Sequence, residues 1–571
     1  MKHSDQNQSK NRLAAVLLIW VLAACIVPNI WLSLTEPLTA VQALANILLP
    51  AGIYAVLMSL SRHIGRSSLW MITVMFFAAF QIVLLYMYGR SIIAVDMFLN
   101  LVTTNPDEVG ELLGNMFPII AAIIIIYLTP ISLSVVAVVG KWRLTPRAQS
   151  VTRRSGIALA LCGLILVGCS FFSSRPYSTL TDLYPVNVLY NVGLAVDRTK
   201  RLASYPETSS EFTFRATSTH TDSVPEIYVA IIGETSRADN WQLFGYHRPT
   251  TPELVGRSNL VGFGKALSQS NTTHKSVPML LSALDASDFG DSLYTSKSFI
   301  TPFKEAGFKT AFISNQNRNH SFIDRFGEEA DTCVFIRELP ANTINRHYDT
   351  DLLEYLDRQI ADGGSRQLIV LHTYGSHFNY IDRYPQESAQ FSPDGPADAI
   401  KAFRNEQLNA YDNTITLTSR LLSSIMDRLE QSGLRSALIY TSDHGEDIFD
   451  DERNLFLHAS PCPSYYQIHV PFLIWTSSNF NEAYPDLLNN ATINSEKFVS
   501  SSKAYFHTLM EIAGIASPRV RPSASLVNAF YAPEQPVYLN DHNRSVTLRE
   551  SGLMTPDFHK LDSIGISYDM K

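Results

Sequence analysis

Five long apolar runs crowd into the first 175 residues and restrict what the chain can be. Residues 13–34, 41–60, 68–89, 116–140 and 156–174 are runs of this kind, "MFPIIAAIIIIYLTPISLSVVAVVG" among them. Each is near the roughly 20 residues that a helix needs to cross a bilayer, so five spans are expected. The first is too long for a cleaved signal peptide, and four more follow it. The mean hydropathy near zero is therefore an average over two unlike halves.

The short connections set the orientation. Lys2, Lys10 and Arg12 precede the first run, Arg62 and Arg66 follow the second, and Lys141, Arg143, Arg147, Arg153 and Arg154 follow the fourth. The alternate connections, "TEPLTA" and the one holding "TTNPDEVGELL", are poor in basic residues. The positive-inside rule then places the N-terminus in the cytoplasm and everything after residue 175 outside. Of five cysteines, Cys25, Cys162 and Cys169 lie in the runs, and only Cys333 and Cys462 reach the outer compartment, where they either pair or stay free.

Three domains are expected: a five-helix membrane domain at 1–175, a linker with an interfacial surface helix at 176–224, and a catalytic domain at 225–571. In the last, "EIYVAIIGE", "KTAFISN", "QLIVLHTYG", "SALIYTSDHG" and "HVPFLIWTS" are short apolar runs bounded by turn residues, as buried parallel strands are. Helical patterns such as "DLLEYLDRQIA" and "KAYFHTLMEIAG" separate them. The fold class is α/β, an α/β/α sandwich around a mostly parallel sheet.

Chemistry-bearing residues stand at the strand ends: Glu234 after the first, Asn315 after the second, His377 beyond the third, Asp443 and His444 after the fourth. Ligands of open α/β sheets bind beyond the carboxyl ends of the strands, so these groups should converge. Two carboxylates and an imidazole suit Zn²⁺ and leave a position for a hydroxyl that the metal would activate. Each has a plainer reading: Glu234 as a carboxylate near a helix N-cap, His377 and His458 as ordinary histidines, and Asn315, Gln316 and Asn317 as a turn. In "SQSNTTHKSVPM" the adjacent Thr272 and Thr273 are candidate nucleophiles. Pro278 fits best in a first turn, so a helix is expected over "VPMLLSAL", with the threonines just before it at the positive end of its dipole.

"VAIIGETSRADNWQLFGYHRPTTPEL", "SNTTHKSVPMLLS", "HTYGSHFNYIDRYP" and "YTSDHGEDIFD…FLHAS…HVPFLIW", behind five spans, resemble the membrane phosphoethanolamine transferases of the alkaline phosphatase/sulfatase superfamily. The resemblance implies zinc ligands at Glu234, Asp443 and His444, with a threonine five residues before the proline of Ser-Val-Pro as fourth ligand and nucleophile. That threonine is Thr273. It implies that His377 and His458 bind either a second zinc or the donor phosphate, and that Glu446 is an acidic residue close to the site. Asn100, Thr104 and Glu108 match headgroup-contacting residues and would share one helix face; Asn315, Asn317 and Glu446 complete the candidate substrate contacts. Lys275 stands where the family often has an aromatic or small residue. One tightly bound Zn²⁺ is implied, with a second during turnover left open.

The implied reaction moves phosphoethanolamine from phosphatidylethanolamine, through a phosphothreonine-type intermediate, to lipopolysaccharide, lipid A or another envelope glycan. The implied setting is a Gram-negative inner membrane with a periplasmic catalytic domain, and no nucleic-acid partner is expected. Gln269 and Met279 occupy places where the lipid A-modifying relatives carry disulfide-bonded cysteines, and "RHYDT" at 346–350 resembles an element of the core-modifying ones; both tilt the acceptor towards a core sugar or another envelope glycan. A phosphoglycerol transferase acting on phosphatidylglycerol is the main rival. A formylglycine sulfatase would need an arginine two residues after Pro278, where Leu280 stands, and an inactive membrane sensor would tolerate losses among the ligands, of which there are none.

Overall fold

The computed structural model describes residues 2–88, 92–95, 97–98, 117–220, 224–339, 347–361, 366–395 and 400–569. Asn100, Thr104 and Glu108 lie outside these residues. The chain forms two compact units, one reaching to Asp197 and one running from Arg198 to Lys571.

The first unit is helical: α1 (Lys2–Thr35), α2 (Ala40–Met58), α3 (Ile64–Trp70), α4 (Ile72–Tyr88), α5 (Pro118–Val139), α6 (Pro146–Ser170) and α7 (Val186–Ala203), whose last residues belong to the second unit. Four of these helices are long and apolar enough to cross a membrane, and a fifth crossing requires α3 and α4 to act as one span despite the 54° bend between them. The expected third run is thus a broken element. The fifth run also starts earlier than its apolar stretch, because Thr145 caps the helix by accepting from the Ala148 N–H at 3.1 Å and Pro146 occupies the first turn. On α7, Asn187 and Asn191 each donate to the Ile93 carbonyl, at 2.8 and 2.9 Å.

The second unit is built on a seven-stranded sheet. Its strands are β1 (Glu226–Gly233), β2 (Leu260–Phe263), β3 (Lys309–Ser314), β4 (Thr332–Phe335), β5 (Gln367–His372), β6 (Arg435–Ser442) and β7 (Phe472–Thr476). They lie in the order β2-β7-β6-β1-β5-β3-β4, and β6, β1, β5, β3 and β4 are mutually parallel. β1 is buried along its whole length, which is why it reads as an unbroken apolar run. Its alternate residues serve two cores. Tyr228, Ala230 and Ile232 pack with α8 (Thr273–Leu280) and, further on, α11 (Ser501–Ile512); Ile227, Val229 and Ile231 pack with α9 (Leu352–Ala361) and α10 (Arg404–Gln431).

One strand runs against the expectation. β7 pairs antiparallel with both β6 and β2. A parallel strand needs a crossover that carries the chain back to its starting edge. Residues 443–471 contain only the single helical turn Tyr465–Ile468 and two short paired strands, so the chain stays at the carboxyl end of the sheet and β7 leaves from there.

The turn after β5 closes tightly over the turn after β1. Gly375 has φ 52°, and a Cβ there would stand 2.4 Å from the Glu234 carbonyl oxygen. The Gly375→Ala variant is expected to lose about 2 kcal/mol of stability, from the left-handed backbone and the clash together, read as a drop in the thermal unfolding midpoint.

Candidate metal and nucleophile centre

Sheet register brings the ligands together. Gly233 pairs with Ser442, and both strands end there, so Glu234 and the Asp443–His444 pair emerge side by side from neighbouring strands. All three are buried, at 1%, 0% and 0% exposure. Their ligand atoms lie within 4.8 Å of one another, the one group of this kind among the described residues.

The Thr273 hydroxyl completes the cluster. Its Oγ1 is 3.2 Å from Glu234 Oε1 and 3.1 Å from His444 Nε2, while His444 Nε2 is 3.2 Å from Asp443 Oδ2 and 3.6 Å from Glu234 Oε1. Donors around a tetrahedral zinc ion, with bonds of about 2.0 Å, stand roughly 3.3 Å apart. The four donor atoms therefore have the chemistry and the spacing that such an ion requires.

Electrostatics point the same way. Burial, and then the charge of Asp443, hold the Glu234 carboxyl well above its usual range. Burial pushes Asp443 up to about 7, against the hydrogen bonds it accepts from the Thr235 and His444 N–H groups. Burial, and then His458, keep His444 far below its ordinary value, as a neutral imidazole. Its Nδ1–H donates to the Gly445 carbonyl at 2.9 Å, which leaves the Nε2 lone pair facing Thr273.

Thr273 is the first residue of α8 and Thr272 is its N-cap, so the helix begins four residues earlier than Pro278 suggests. The Thr272 carbonyl starts it by accepting from the Lys275 and Ser276 N–H groups, at 3.1 and 3.0 Å. The helix ends two residues after Pro278, at Leu280. The Thr272 hydroxyl is turned to Ser270, 3.2 Å away, so the two threonines are not equivalent. Buried Lys275 donates to the Asn540 carbonyl at 2.8 Å.

A histidine layer borders the cluster. His458 stacks near His444 with ring centroids 4.2 Å apart, and His377 lies 5.9 Å from His458. His377 donates Nδ1–H to the Phe378 carbonyl at 2.6 Å, and burial with nearby Arg383 lowers it to about 3. It thus presents a neutral ring with a lone pair on Nε2, the form that ligates a cation; it is not the form that protonates a leaving group. Glu446 is fully buried behind His458, with Oε1 3.5 Å from His458 Nδ1, and so stands under the site and not on its surface. Leu457 and Ala459, on either side of His458, and Thr235 beside Glu234 all have positive φ, at 67°, 59° and 59°. Backbone strain of this kind gathers where neighbouring structure must hold a functional group.

The asparagine turn contributes through a different residue than expected. Gln316 donates Nε2 to Glu234 Oε2 at 3.1 Å and to the Thr373 carbonyl at 3.0 Å. Buried Asn315 donates to Asp349 at 2.7 Å, and Asn317 is half-buried. Asp349 also accepts from the Tyr374 and Gly375 N–H groups, both at 2.8 Å, and so shapes the turn leading to His377. Sequence reading passed over Asp349 as a site residue; its only signal was the local "RHYDT" likeness.

The loop carrying Thr273 is held without a disulfide, and none of the five cysteines is bonded to another. Asn271 donates to Gln467 Oε1 at 2.6 Å and to the Ser460 carbonyl at 2.8 Å, and accepts from the Tyr538 hydroxyl at 2.7 Å. Gln467 in turn donates to Asp447 Oδ2 at 2.6 Å. Met279 fills a small core with Ala286 and Leu539, and the Leu539 N–H donates to the Gln269 carbonyl at 2.7 Å. Hydrogen bonds and packing thus hold the loop at Gln269 and Met279.

The sequence model of the sulfatase family matches residues 226–515, just over half of the chain, and the chain belongs to that family. It is 28% identical over 349 residues to the Kdo(2)-lipid A phosphoethanolamine 7''-transferase of Escherichia coli, an alignment covering 58% of this chain and 60% of that relative. Among solved structures, the integral membrane lipooligosaccharide phosphoethanolamine transferase A of Neisseria meningitidis matches with a TM-score of 0.72 at 20% identity, over 90% of this chain and 98% of the other. The periplasmic domain of Escherichia coli EptC in complex with zinc matches with a TM-score of 0.54 at 24% identity, over 60% of this chain and 97% of that domain.

Two outcomes follow from this geometry. Gln467→Ala removes one hydrogen bond from each of two buried groups, Asn271 and Asp447, and is expected to lower stability by about 2 kcal/mol in denaturant titration. For protein stripped of metal by a chelator, the raised carboxyls bind protons more tightly folded than unfolded. Their contribution is complete below the unfolded value of about 4 and is lost as pH rises through about 7 for Asp443, so the chelated midpoint falls between about pH 5 and pH 8. Metal binding has the opposite sign, because its ligands must be deprotonated. The rise in midpoint on adding Zn²⁺ should be larger at about pH 8 than at about pH 5.5.

Proposed function

We propose that this protein transfers phosphoethanolamine from phosphatidylethanolamine to an envelope glycolipid of the lipopolysaccharide or lipid A class, with Thr273 as the nucleophile. The observation that carries this reading is the Thr273 hydroxyl, within 3.2 Å of a buried glutamate and 3.1 Å of a neutral histidine at the end of a parallel sheet. The name of the Escherichia coli relative supports the choice of transferred group and acceptor class, and the zinc complex of the EptC domain supports the choice of metal. The apolar helices support an inner-membrane location with the catalytic unit on the periplasmic side, the side from which a lipid donor can be reached.

Glu234, Asp443, His444 and Thr273 would hold one Zn²⁺, which would supply charge that lowers the pKa of the threonine hydroxyl and offsets negative charge on the phosphoryl oxygens. Glu234 is oriented for this by Thr235 and Gln316, and His444 by its bond to Gly445. In the first step Thr273 Oγ gives up its proton to solvent, its bond to phosphorus forms, the bond from phosphorus to the glycerol oxygen breaks, and diacylglycerol leaves after taking a proton. In the second step an acceptor oxygen gives up its proton, bonds to phosphorus and breaks the Thr273 Oγ–P bond, and the threonine is reprotonated. His377 and His458 border the path of the phosphoryl oxygens, and the Nε2 lone pair of neutral His377 is placed to hold a second cation there.

Sulfate-ester hydrolysis does not fit this centre. Ser276, the only residue at a formylglycine-like spacing, donates its hydroxyl to the Thr272 carbonyl at 2.8 Å, and Leu280 at the arginine position is fully buried.

Incubation of the purified full-length protein with zinc and phosphatidylethanolamine should give a phosphoethanolamine adduct that peptide mapping places on Thr273. Thr273→Ala should abolish the adduct and reduce turnover by at least about a thousandfold, the loss expected on removing a nucleophile. An adduct on Thr272, a phosphoglycerol adduct from phosphatidylglycerol in its place, or no adduct with zinc bound would overturn the assignment.

A further inference from the structure

Beyond the histidine layer lies a cation that the reaction above does not use. Arg337 sits in the turn Ile336–Glu338, directly after β4, with its guanidinium carbon 4.2 Å from the centroid of Tyr374. Tyr374 stacks on His377, with centroids 5.2 Å apart and planes 23° apart. A strip of side chains therefore leads outwards from Thr273 through His444, His458, His377 and Tyr374 to Arg337.

The neighbouring charges are committed elsewhere. Arg383, also over Tyr374 at 4.1 Å, is buried and donates to the His377 and Phe378 carbonyls, both at 2.8 Å. Glu338 faces Arg318, with Oε2 3.5 Å from its Nε. Asp349 is close enough to feel the charge of Arg337, but its oxygens already accept from Asn315, Tyr374 and Gly375. Among the described residues, half-buried Arg337 has no ion-pair or hydrogen-bond partner, and the stretch that follows, "PANTINR" at 340–346, contains no acidic residue.

A guanidinium over a phenol ring is attracted by the ring without using its N–H donors, which remain for a ligand. Those donors fit a phosphate or carboxylate in two-pronged fashion. The donor cannot supply such a group. Phosphatidylethanolamine has one phosphate, which must lie at Thr273, its remaining charge is an ammonium that a guanidinium repels, and its leaving group is neutral.

We propose that Arg337, laid on Tyr374, recognises an anionic group of the acceptor, a phosphate monoester or a sugar carboxylate, and so helps to select acid-bearing glycolipids. This rests on the transferase reading above. Arg337 positions the acceptor and takes no part in bond making.

The test uses the full-length zinc-loaded protein, phosphatidylethanolamine as donor, and three preparations of one lipopolysaccharide: untreated, dephosphorylated, and methyl-esterified at its carboxylates. With the untreated acceptor, Arg337→Ala should raise KM by about tenfold or more, the loss of one charge-assisted contact, while kcat changes by less than about threefold. Arg337→Lys should recover part of the loss. With the preparation that lacks the recognised group, KM is already raised in the unaltered protein and Arg337→Ala adds nothing further, which identifies phosphate or carboxylate as the source. An unchanged KM with the untreated acceptor, or an equal rise with all three, overturns the subsite while leaving the transferase intact. Absence of a Thr273 adduct in the unaltered protein overturns the transferase and the subsite together.

Discussion

Two carboxylates leave adjacent strands of a parallel sheet and are buried side by side at its end, and the rest of the catalytic unit is arranged around that fact. Glu234 and Asp443 cannot both be charged there without a compensating cation, because burial and their mutual repulsion favour the protonated forms. The strand pairing that forces them together, Gly233 against Ser442, is backbone structure, so the demand for positive charge is built into the sheet itself. His444 and the Thr273 hydroxyl add neutral donors to the same point, which gives the set the donors and spacing that a metal ion requires.

The surrounding loops keep that shell from relaxing. Left-handed backbone at Thr235, Leu457 and Ala459 costs free energy that β1, the core and the buried network around Gln467 offset. Gly375 lets the next turn approach the Glu234 carbonyl closely. The chain after β6 stays at one end of the sheet to build the histidine layer, and the antiparallel direction of β7 is the trace this leaves in the topology.

Much of the fold was readable because strands buried on both faces need unbroken apolar runs, and β1, β3, β5, β6 and β7 have them. The edge strands β2 and β4 are four residues each and give too short a signal. Strand direction was not readable for β7, since an apolar run carries no arrow. At the site, Glu234, Asp443 and His444 stood out by their place at strand ends, while only the family resemblance, with its threonine five residues before the proline, separated Thr273 from Thr272. That same proline misplaced the helix start, because a short helix tolerates it close to its end. Gln316, Asp349, Gln467 and Arg337 were hidden for a common reason. Each acts through a partner distant in sequence, and nothing in the local pattern distinguishes it from an ordinary polar residue.

The absence of a cystine beside Thr273 has a consequence for how the site matures. The amide and phenol bonds that hold Asn271 form as the chain folds, and they need no oxidant, no isomerase and no choice among thiol partners. Assembly of this centre is therefore uncoupled from the thiol chemistry of its surroundings. A cell could change its redox machinery without changing how much of this protein becomes competent.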